Sequence, residues 1–220
     1  MTRASTDSPR WRAPYRVETS RLQLCALGPE HLAALHEVIP RNKAHLAQSM
    51  PWVQEEPLSL AARTELLTQM RGRFDLGLDF TYGMFERDKG QYVGGTGLHA
   101  RIGPDALEIG YWIDAQWEGQ GLVTEAARAL CVVAFELMGA QRVEIRCAPT
   151  NHRSSAVPQR LGFHLDGVLR QISIDGRGNP EDRMIWTLLA SEHAERPAVS
   201  HDEPLLFDVL GAPIALPHAD

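Results

Sequence analysis

The sequence predicts an α/β fold, a mixed and mostly antiparallel sheet with helices packed on both faces. Three observations carry this. Leu107, Ile109, Tyr111 and Ile113 alternate with Glu108, Gly110 and Trp112, the period-two pattern of a strand with two different faces. Val123, Ala126, Ala127, Leu130, Val133, Ala134 and Leu137 recur at three- and four-residue spacing, one buried face of a helix. Strand-like and helix-like stretches of these two kinds are interleaved along the chain, which one sheet accommodates by packing helices on both sides.

Taken in order, residues 1–16 are polar and proline-containing, with Trp11 and Tyr15 as their anchors, and read as an N-terminal arm. A domain follows over 17–191. Arg21 to Leu27 alternates as a first strand, and Pro29-Glu30 opens a helix carrying Leu32, Leu35 and Val38 on one face. A second helical stretch runs from Asn42 to Met50 into Pro51-Trp52, and a third from roughly Leu58 to Leu76. Phe80 to Glu86 and Tyr92 to Leu98 are strands joined by the turn Arg87-Asp88-Lys89-Gly90, and they form an antiparallel meander with the strand carrying Glu108. After the central helix come a strand at Arg142–Cys147, a short helix beyond Asn151, and a strand from Gly162 to Arg170. Asp175-Gly176 then turns into a last strand near Arg183 to Leu189. Residues 192–220 form a C-terminal tail whose apolar island, Leu205 to Leu210, suits a docked edge strand or an interaction segment.

Composition narrows the function classes. At 220 residues and 44% hydrophobic content the chain can bury a substantial core. A net charge of -6 leaves no basic footprint for nucleic acid or an anionic membrane surface. No stretch reaches the roughly eighteen apolar residues of a membrane span. Cys25, Cys131 and Cys147 are odd in number, lack a CxxC pair and fall in apolar segments, as reduced core thiols of a cytoplasmic protein do. The nine histidines show no zinc-type spacing, so no metal site is expected.

Between the Glu108 strand and the central helix lies Gln116-Trp117-Glu118-Gly119-Gln120-Gly121-Leu122. Two glycines two apart let the backbone turn tightly and bring its N–H groups to a ligand at the positive end of a new helix. This predicts an anion site for phosphate. The loop is neither Gly-x-Gly-x-x-Gly with an acidic partner nor Gly-Lys-Ser/Thr.

Gln-x-x-Gly-x-Gly resembles the pyrophosphate loop of the GNAT superfamily of acyl-CoA N-acyltransferases. Glu108-Ile109-Gly110-Tyr111-Trp112, Asn151-His152-Arg153-Ser154, Leu161-Gly162-Phe163 and Asp182-Arg183-Met184-Ile185-Trp186 follow in the matching order, and together they are similar to the ribosomal-protein N-acetyltransferase (RimJ/RimL-like) branch, from about Thr19 to Leu189. The resemblance implies a GNAT fold whose sheet splays between Glu108–Asp114 and Arg142–Cys147, the gap admitting the pantetheine arm. It implies acetyl transfer from acetyl-CoA to a primary amine, a protein N-terminus first of all. Backbone N–H groups from Glu118 through Gly119, Gln120 and Gly121 to Leu122 would hold the pyrophosphate, with the Thr124 hydroxyl beside them. Ile113, Asp114 and Ala115 would pair through backbone with pantetheine, and Gln116 opens the loop. Glu118, a carboxylate beside a pyrophosphate, is expected to face solvent. The family's helices before the meander and its Pro-Trp turn line the acceptor side, and a homodimer through C-terminal elements is the family's habit.

Three catalytic candidates follow. Attack of an amine on a thioester expels a thiolate, and a nearby hydroxyl can protonate it; Ser154 matches that role, with Ser155 as the alternative hydroxyl. Asn151 reads both as the cap of a short helix and as a residue positioning substrate or pantetheine. Pro158 removes the amide that would bond the Ser154 carbonyl, unless it falls within the first turn. Glu108 is the carboxylate candidate for the base, directly or through water, against the reading of a charge on a solvated strand face. Histidines such as His31, His36, His99 and His152 are the other source of a base. Tyr82, Tyr111 and Trp52 read as core or cleft wall. Two alternatives stay open: a small amine as acceptor (polyamine, aminoglycoside or amino acid, with succinyl donors included), and a CoA-binding regulatory or interaction module without catalysis.

Overall fold

The computed structural model describes residues 11–195 and 203–217; most of the N-terminal arm and parts of the C-terminal tail lie outside them. The strands, in chain order, are β1 (Arg16–Glu18), β2 (Leu22–Ala26), β3 (Asp79–Glu86), β4 (Tyr92–His99), β5 (Ala106–Ile113), β6 (Arg142–Cys147), β7 (His164–Ile174), β8 (Pro180–Leu189), β9 (Leu205–Phe207) and β10 (Pro213–Ile214). The helices are α1 (Leu32–Arg41), α2 (Lys43–Leu46), α3 (Leu60–Asp75), α4 (Leu122–Val132), α5 (His152–Arg160) and α6 (Ala190–Ala194). One ten-stranded sheet has the order β10-β9-β1-β2-β3-β4-β5-β6-β8-β7.

The expected meander is present: β2, β3, β4 and β5 pair antiparallel in succession. β5 and β6 are parallel and pair only at Ala106, Leu107 and Glu108, opposite Arg142, Val143 and Glu144. Beyond that point β6 continues against β8 while β5 continues against β4. The sheet is therefore splayed. Asp114 N–H bonds the Val93 carbonyl on the β4 side at 2.8 Å, so by strand alternation the backbone groups of Ile109, Tyr111 and Ile113 face the gap.

Each face is covered by its own helices. Leu35, Val38 and Ile39 of α1 and Leu67 of α3 bury against Leu27 and Tyr92 on one side. On the other, Ala126, Ala127, Leu130 and Cys131 of α4 pack with Leu107, Ile109, Val143 and Ile145. α4 runs on as a wider π turn over Val133–Leu137, closed by Met138 N–H on the Val133 carbonyl at 2.9 Å.

Several boundaries differ from expectation. The stretch from Asn42 to Met50 contains only the single turn of α2, after which the chain folds back in turns around the Leu46 carbonyl before Pro51. β7 extends to Ile174, and its hairpin with β8 turns over Asp175–Asn179, where Asp175 accepts backbone N–H bonds from Arg177 and Asn179. At that tip a Cβ on Gly176 would stand 2.1 Å from the Ala47 carbonyl oxygen, so the hairpin reaches across to the end of α2. Val17 of β1 pairs with Leu206 of β9, and both are buried.

Candidate active site

The strand-to-helix loop is built as its glycines suggest. Gly119 (φ 74°) and Gly121 (φ 78°) both take left-handed backbone angles that a side chain disfavours. Gly121 caps α4, whose first amides have no helical acceptor. Upstream, the amides are engaged inside the protein. Asp114 N–H goes to Val93 O, Ala115 N–H to Asn42 Oδ1 at 3.0 Å, Gln116 N–H to Asp114 Oδ1 at 3.1 Å and Trp117 N–H to Asp114 O at 2.8 Å. Glu118 N–H lies 3.5 Å from Ala115 O. Of the expected pantetheine contacts, only Ile113 keeps its backbone toward the gap, and the loop amides without a partner among the described residues begin at Gly119.

The loop is braced from both sides. Arg41, at the end of α1, holds Asp114 Oδ2 at 2.5 Å. Burial alone would raise the Asp114 carboxyl; the Arg41 bond, with Gln116 N–H and Asn42, holds it below its usual value. Arg21 donates to the Gln120 carbonyl at 2.9 Å and to Glu125 of α4 at 2.6 Å, and Thr19 Oγ1 donates to the same carboxylate at 2.6 Å. Glu118 does not simply face solvent. It pairs with Arg153 of α5 and lies 3.5 Å from His45 Nε2, which neutralises the carboxylate expected to oppose a pyrophosphate.

Asn151 is the N-cap of α5: its Oδ1 accepts the Ser154 N–H at 3.0 Å. Pro158 lies inside α5 rather than in its first turn, so the Ser154 carbonyl loses its helical donor. Tyr111 of β5 replaces it. The phenol donates to Ser154 O at 3.0 Å, and Ser154 Oγ in turn donates to the phenol oxygen at 3.2 Å. Burial raises the Tyr111 phenol far above its usual value, so it stays protonated as that donor requires; the Ser154 bond opposes the shift. Ser155 is buried and donates to His152 O at 3.1 Å, away from the gap.

Two cavities flank the splay. One, of about 1420 Å³, is lined by Ile113, Trp117 to Gly119, Gly121 to Glu125 and the guanidinium groups of Arg21, Arg128, Arg153 and Arg160. The other, of about 680 Å³, lies under α1, α3 and the hairpin tip and is lined by Trp52, Trp112, Glu108 and His99 among others. Ser49, Met50, Tyr111, Trp112, Asn151 and Ser154 line both. The gap is thus where the two spaces meet, and Ser154 stands at the meeting. Asp114, Ala115, Gln116 and Gln120 line neither cavity.

Glu108 faces the second cavity, buried, with both oxygens engaged by Arg101 at 3.0 and 2.6 Å. Sequence reading missed Arg101, the Tyr111 bond and the Glu118 partners. Tyr111 was open to discovery: its parity along β5 separates it from Glu108, and Pro158 leaves one carbonyl seeking a donor. Among the described residues no cluster of His, Cys, Asp and Glu is arranged to hold a metal ion, and no helix is long and apolar enough to cross a membrane.

The arrangement suits a long anionic donor threaded from a phosphate-binding loop into a gap that opens onto a second substrate space. Comparison with known proteins gives the same result. A family model described as an acetyltransferase (GNAT) domain matches residues 21–164. The ribosomal-protein-serine acetyltransferase of Escherichia coli (strain K12) is 31% identical over 156 residues, covering 68% of this chain and 83% of that protein. The [ribosomal protein uS5]-alanine N-acetyltransferase of the same strain is 26% identical over 171 residues, covering 74% and 85%. Among solved structures, RimL, a ribosomal L7/L12 α-N-protein acetyltransferase in complex with coenzyme A, superposes with a TM-score of 0.72 at 26% identity, covering 80% of this chain and 99% of that one. The chain belongs to the GNAT acetyltransferases and is an acetyl-CoA-dependent N-acetyltransferase of that family.

Proposed function

We propose that the acceptor is the α-amine of a protein N-terminus, acetylated by direct attack within a ternary complex. The observation that carries this reading is the meeting of the two cavities at Ser154: a donor on the loop side and an amine on the other reach the same hydroxyl. The relatives whose names specify ribosomal-protein serine or alanine acetylation support a protein acceptor. Cavity chemistry agrees. Glu55, Glu56, Asp79 and Glu108 are matched by Arg63, Arg101, Arg146 and Arg183, whereas a polyamine pocket needs an excess of carboxylates.

Each part has an assigned task. The amides from Gly119 to Leu122 and the guanidinium groups beside them bind the pyrophosphate, with the Thr124 hydroxyl in the first turn of α4. The exposed backbone of Ile113 aligns the pantetheine arm. The thioester supplies an acyl carbon with a good leaving group. Asn151 fixes the first turn of α5, Tyr111 anchors the Ser154 carbonyl, and the Ser154 hydroxyl is left to exchange its present acceptor, the phenol oxygen, for the departing sulfur. Glu108, with both oxygens taken by Arg101, is a neutralised ion pair in the wall of the acceptor face. The edge strand β7 exposes Val168, Leu169, Ile172 and Ile174, which favours a homodimer.

The test is thiol release from acetyl-CoA with a peptide bearing a free N-terminus, its N-blocked twin and spermidine. Release with the free peptide alone is expected, and Ser154→Ala should lower kcat by about 10²-fold while acetyl-CoA affinity is kept. Release with spermidine alone would move the acceptor to small amines, and an unchanged rate in Ser154→Ala would remove the hydroxyl from the mechanism.

A further inference from the structure

A row of polar residues crosses the acceptor face of the sheet. Asp79 of β3 is in register with His99 of β4, His99 with Glu108 of β5, and Glu108 with Glu144 of β6. The two glutamates are fully partnered: Arg101 takes both oxygens of Glu108, and Arg142 and Arg146 take those of Glu144. His99 is different. Its Nδ1 lies 2.6 Å from Asp79 Oδ1, but among the described residues nothing hydrogen-bonds its Nε2.

The seat of this ring is built by two absent side chains. A Cβ on Gly97 would stand 3.0 Å from His99 Cε1, and a Cβ on Gly110 would stand 3.0 Å from Nε2. The imidazole therefore lies over both glycines, on the floor of the cavity that Ser154 also lines. Only 16% of the side chain is exposed, and the cavity is the space the ring borders. A carboxylate accepting Nδ1–H leaves the neutral ring with its lone pair on Nε2, the state a proton acceptor requires.

We propose that His99, oriented by Asp79, is the base of the acyl transfer, and that its Nε2 takes the first proton from the acceptor ammonium. The proposal rests on the acyltransfer reading above and assigns its proton acceptor. Glu108 is the less suitable group because both its oxygens already accept from the forked guanidinium of Arg101. In the step, the ammonium gives one proton to Nε2, and the freed lone pair forms the C–N bond to the thioester carbon. The C–S pair leaves with sulfur, which takes a proton from Ser154. The second nitrogen proton is lost as the adduct collapses and restores the Ser154 hydroxyl, and His99 returns its proton to solvent. One ammonium proton thus ends on sulfur and one in water.

Charged groups surround the ring. Asp79 lies behind Nδ1, with Arg73 of α3 at 3.8 Å from the other oxygen of Asp79. Glu108 lies on the next strand, paired with Arg101 of the β4–β5 connection, and Arg146 of β6 and Arg183 of β8 line the same cavity. Asp79 is a positioning residue, acting through the ring it holds.

The experiment is the pH profile of kcat/KM for the peptide in the full chain and in His99→Ala, Asp79→Asn and Glu108→Gln. The parent should lose activity on an acid limb as Nε2 becomes protonated. His99→Ala should lower kcat by about 10²-fold, abolish that limb and leave the KM for acetyl-CoA unchanged. Asp79→Asn should lower kcat and leave the peptide KM unchanged, since the ring loses the acceptor that orients it. Glu108→Gln should keep the limb. Added imidazole should restore activity to His99→Gly, which separates lost chemistry from lost folding. A limb that persists in His99→Ala, or disappears in Glu108→Gln instead, overturns the assignment to His99. A parent that acetylates no amine overturns the acyltransfer reading and this proposal with it.

Discussion

Pro158 takes a backbone donor away from Ser154, and Tyr111, 43 residues earlier in the chain, gives one back. The exchange has a consequence for function. A helical amide would tie the Ser154 carbonyl within α5, whereas the phenol ties α5 to β5 across the mouth of the gap, so the hydroxyl is held against the strand that carries the acceptor face. Tyr111→Phe leaves that carbonyl without a donor and should cost about 1–3 kcal/mol in urea unfolding. In a Pro158→Ala background the helix regains its own amide, so the same substitution should cost measurably less. Equal costs in the two backgrounds would show that the phenol is not compensating for the proline. The sequence disclosed half of this arrangement. Pro158 could be identified from helix chemistry, but its partner depends on how β5 and α5 approach in space, and no local pattern records that.

The element that organises the site is the loop into α4. A Cβ on Gly119 would meet nothing within 4 Å, and one on Gly121 only Arg21 Nη2 at 3.7 Å, so substitution there is opposed by backbone angle and not by crowding. Gly121→Ala should therefore lower stability by about 1–2 kcal/mol and, by tilting the amides it carries, weaken coenzyme A binding by about 10-fold. Calorimetric titration checks this, and unchanged affinity would contradict the assignment of the loop.

Glu125, in the first turn of α4, anchors the loop to the start of the sheet. Burial would raise its carboxyl, but the bonds from Thr19 and Arg21 outweigh it and hold the group below the usual glutamate value. A depressed carboxyl stabilises the fold fully above its unfolded value and loses that contribution as pH falls through the folded one. Glu125→Gln should thus lower Tm at pH 7 by on the order of 5 °C, and the two melting temperatures should converge as pH falls below the usual glutamate range. A constant difference across that range would contradict the linkage. At this scale the sequence was informative for long periodic elements: β3, β4 and β5 lie within a residue or two of expectation, and α4 with the π turn that follows it spans the expected Val123 to Leu137. It was silent on β1 and on the two-residue β10, and for the three-residue β9 it offered only the apolar island Leu205 to Leu210, because such strands carry too few residues for a period and exist only because neighbouring strands pair with them.

For the whole molecule, the decisive feature is the short parallel contact between β5 and β6. Three paired residues on each strand hold the sheet together at Glu108, and beyond them the backbone of β5 is left open to a ligand. Alternation and turn residues predicted the meander and the helices on both faces, but the splay came only from resemblance to a known family, because strand divergence is set by packing over the entire sheet. The acceptor face was the least legible part. Its row of Asp79, His99, Glu108 and Glu144 depends on the register of four strands, and each residue alone reads as an ordinary polar position.

The central claim is that the gap delivers an acetyl group from the loop side to an N-terminal amine on the other side. It is tested most directly by mass spectrometry of a peptide with a free N-terminus and an internal lysine after incubation with the protein and acetyl-CoA. One acetyl group on the α-amine, none on the lysine, and none on either with Ser154→Ala at matched times is the predicted result. Acetylation confined to the lysine, or an unmodified peptide alongside tight coenzyme A binding, would contradict the account.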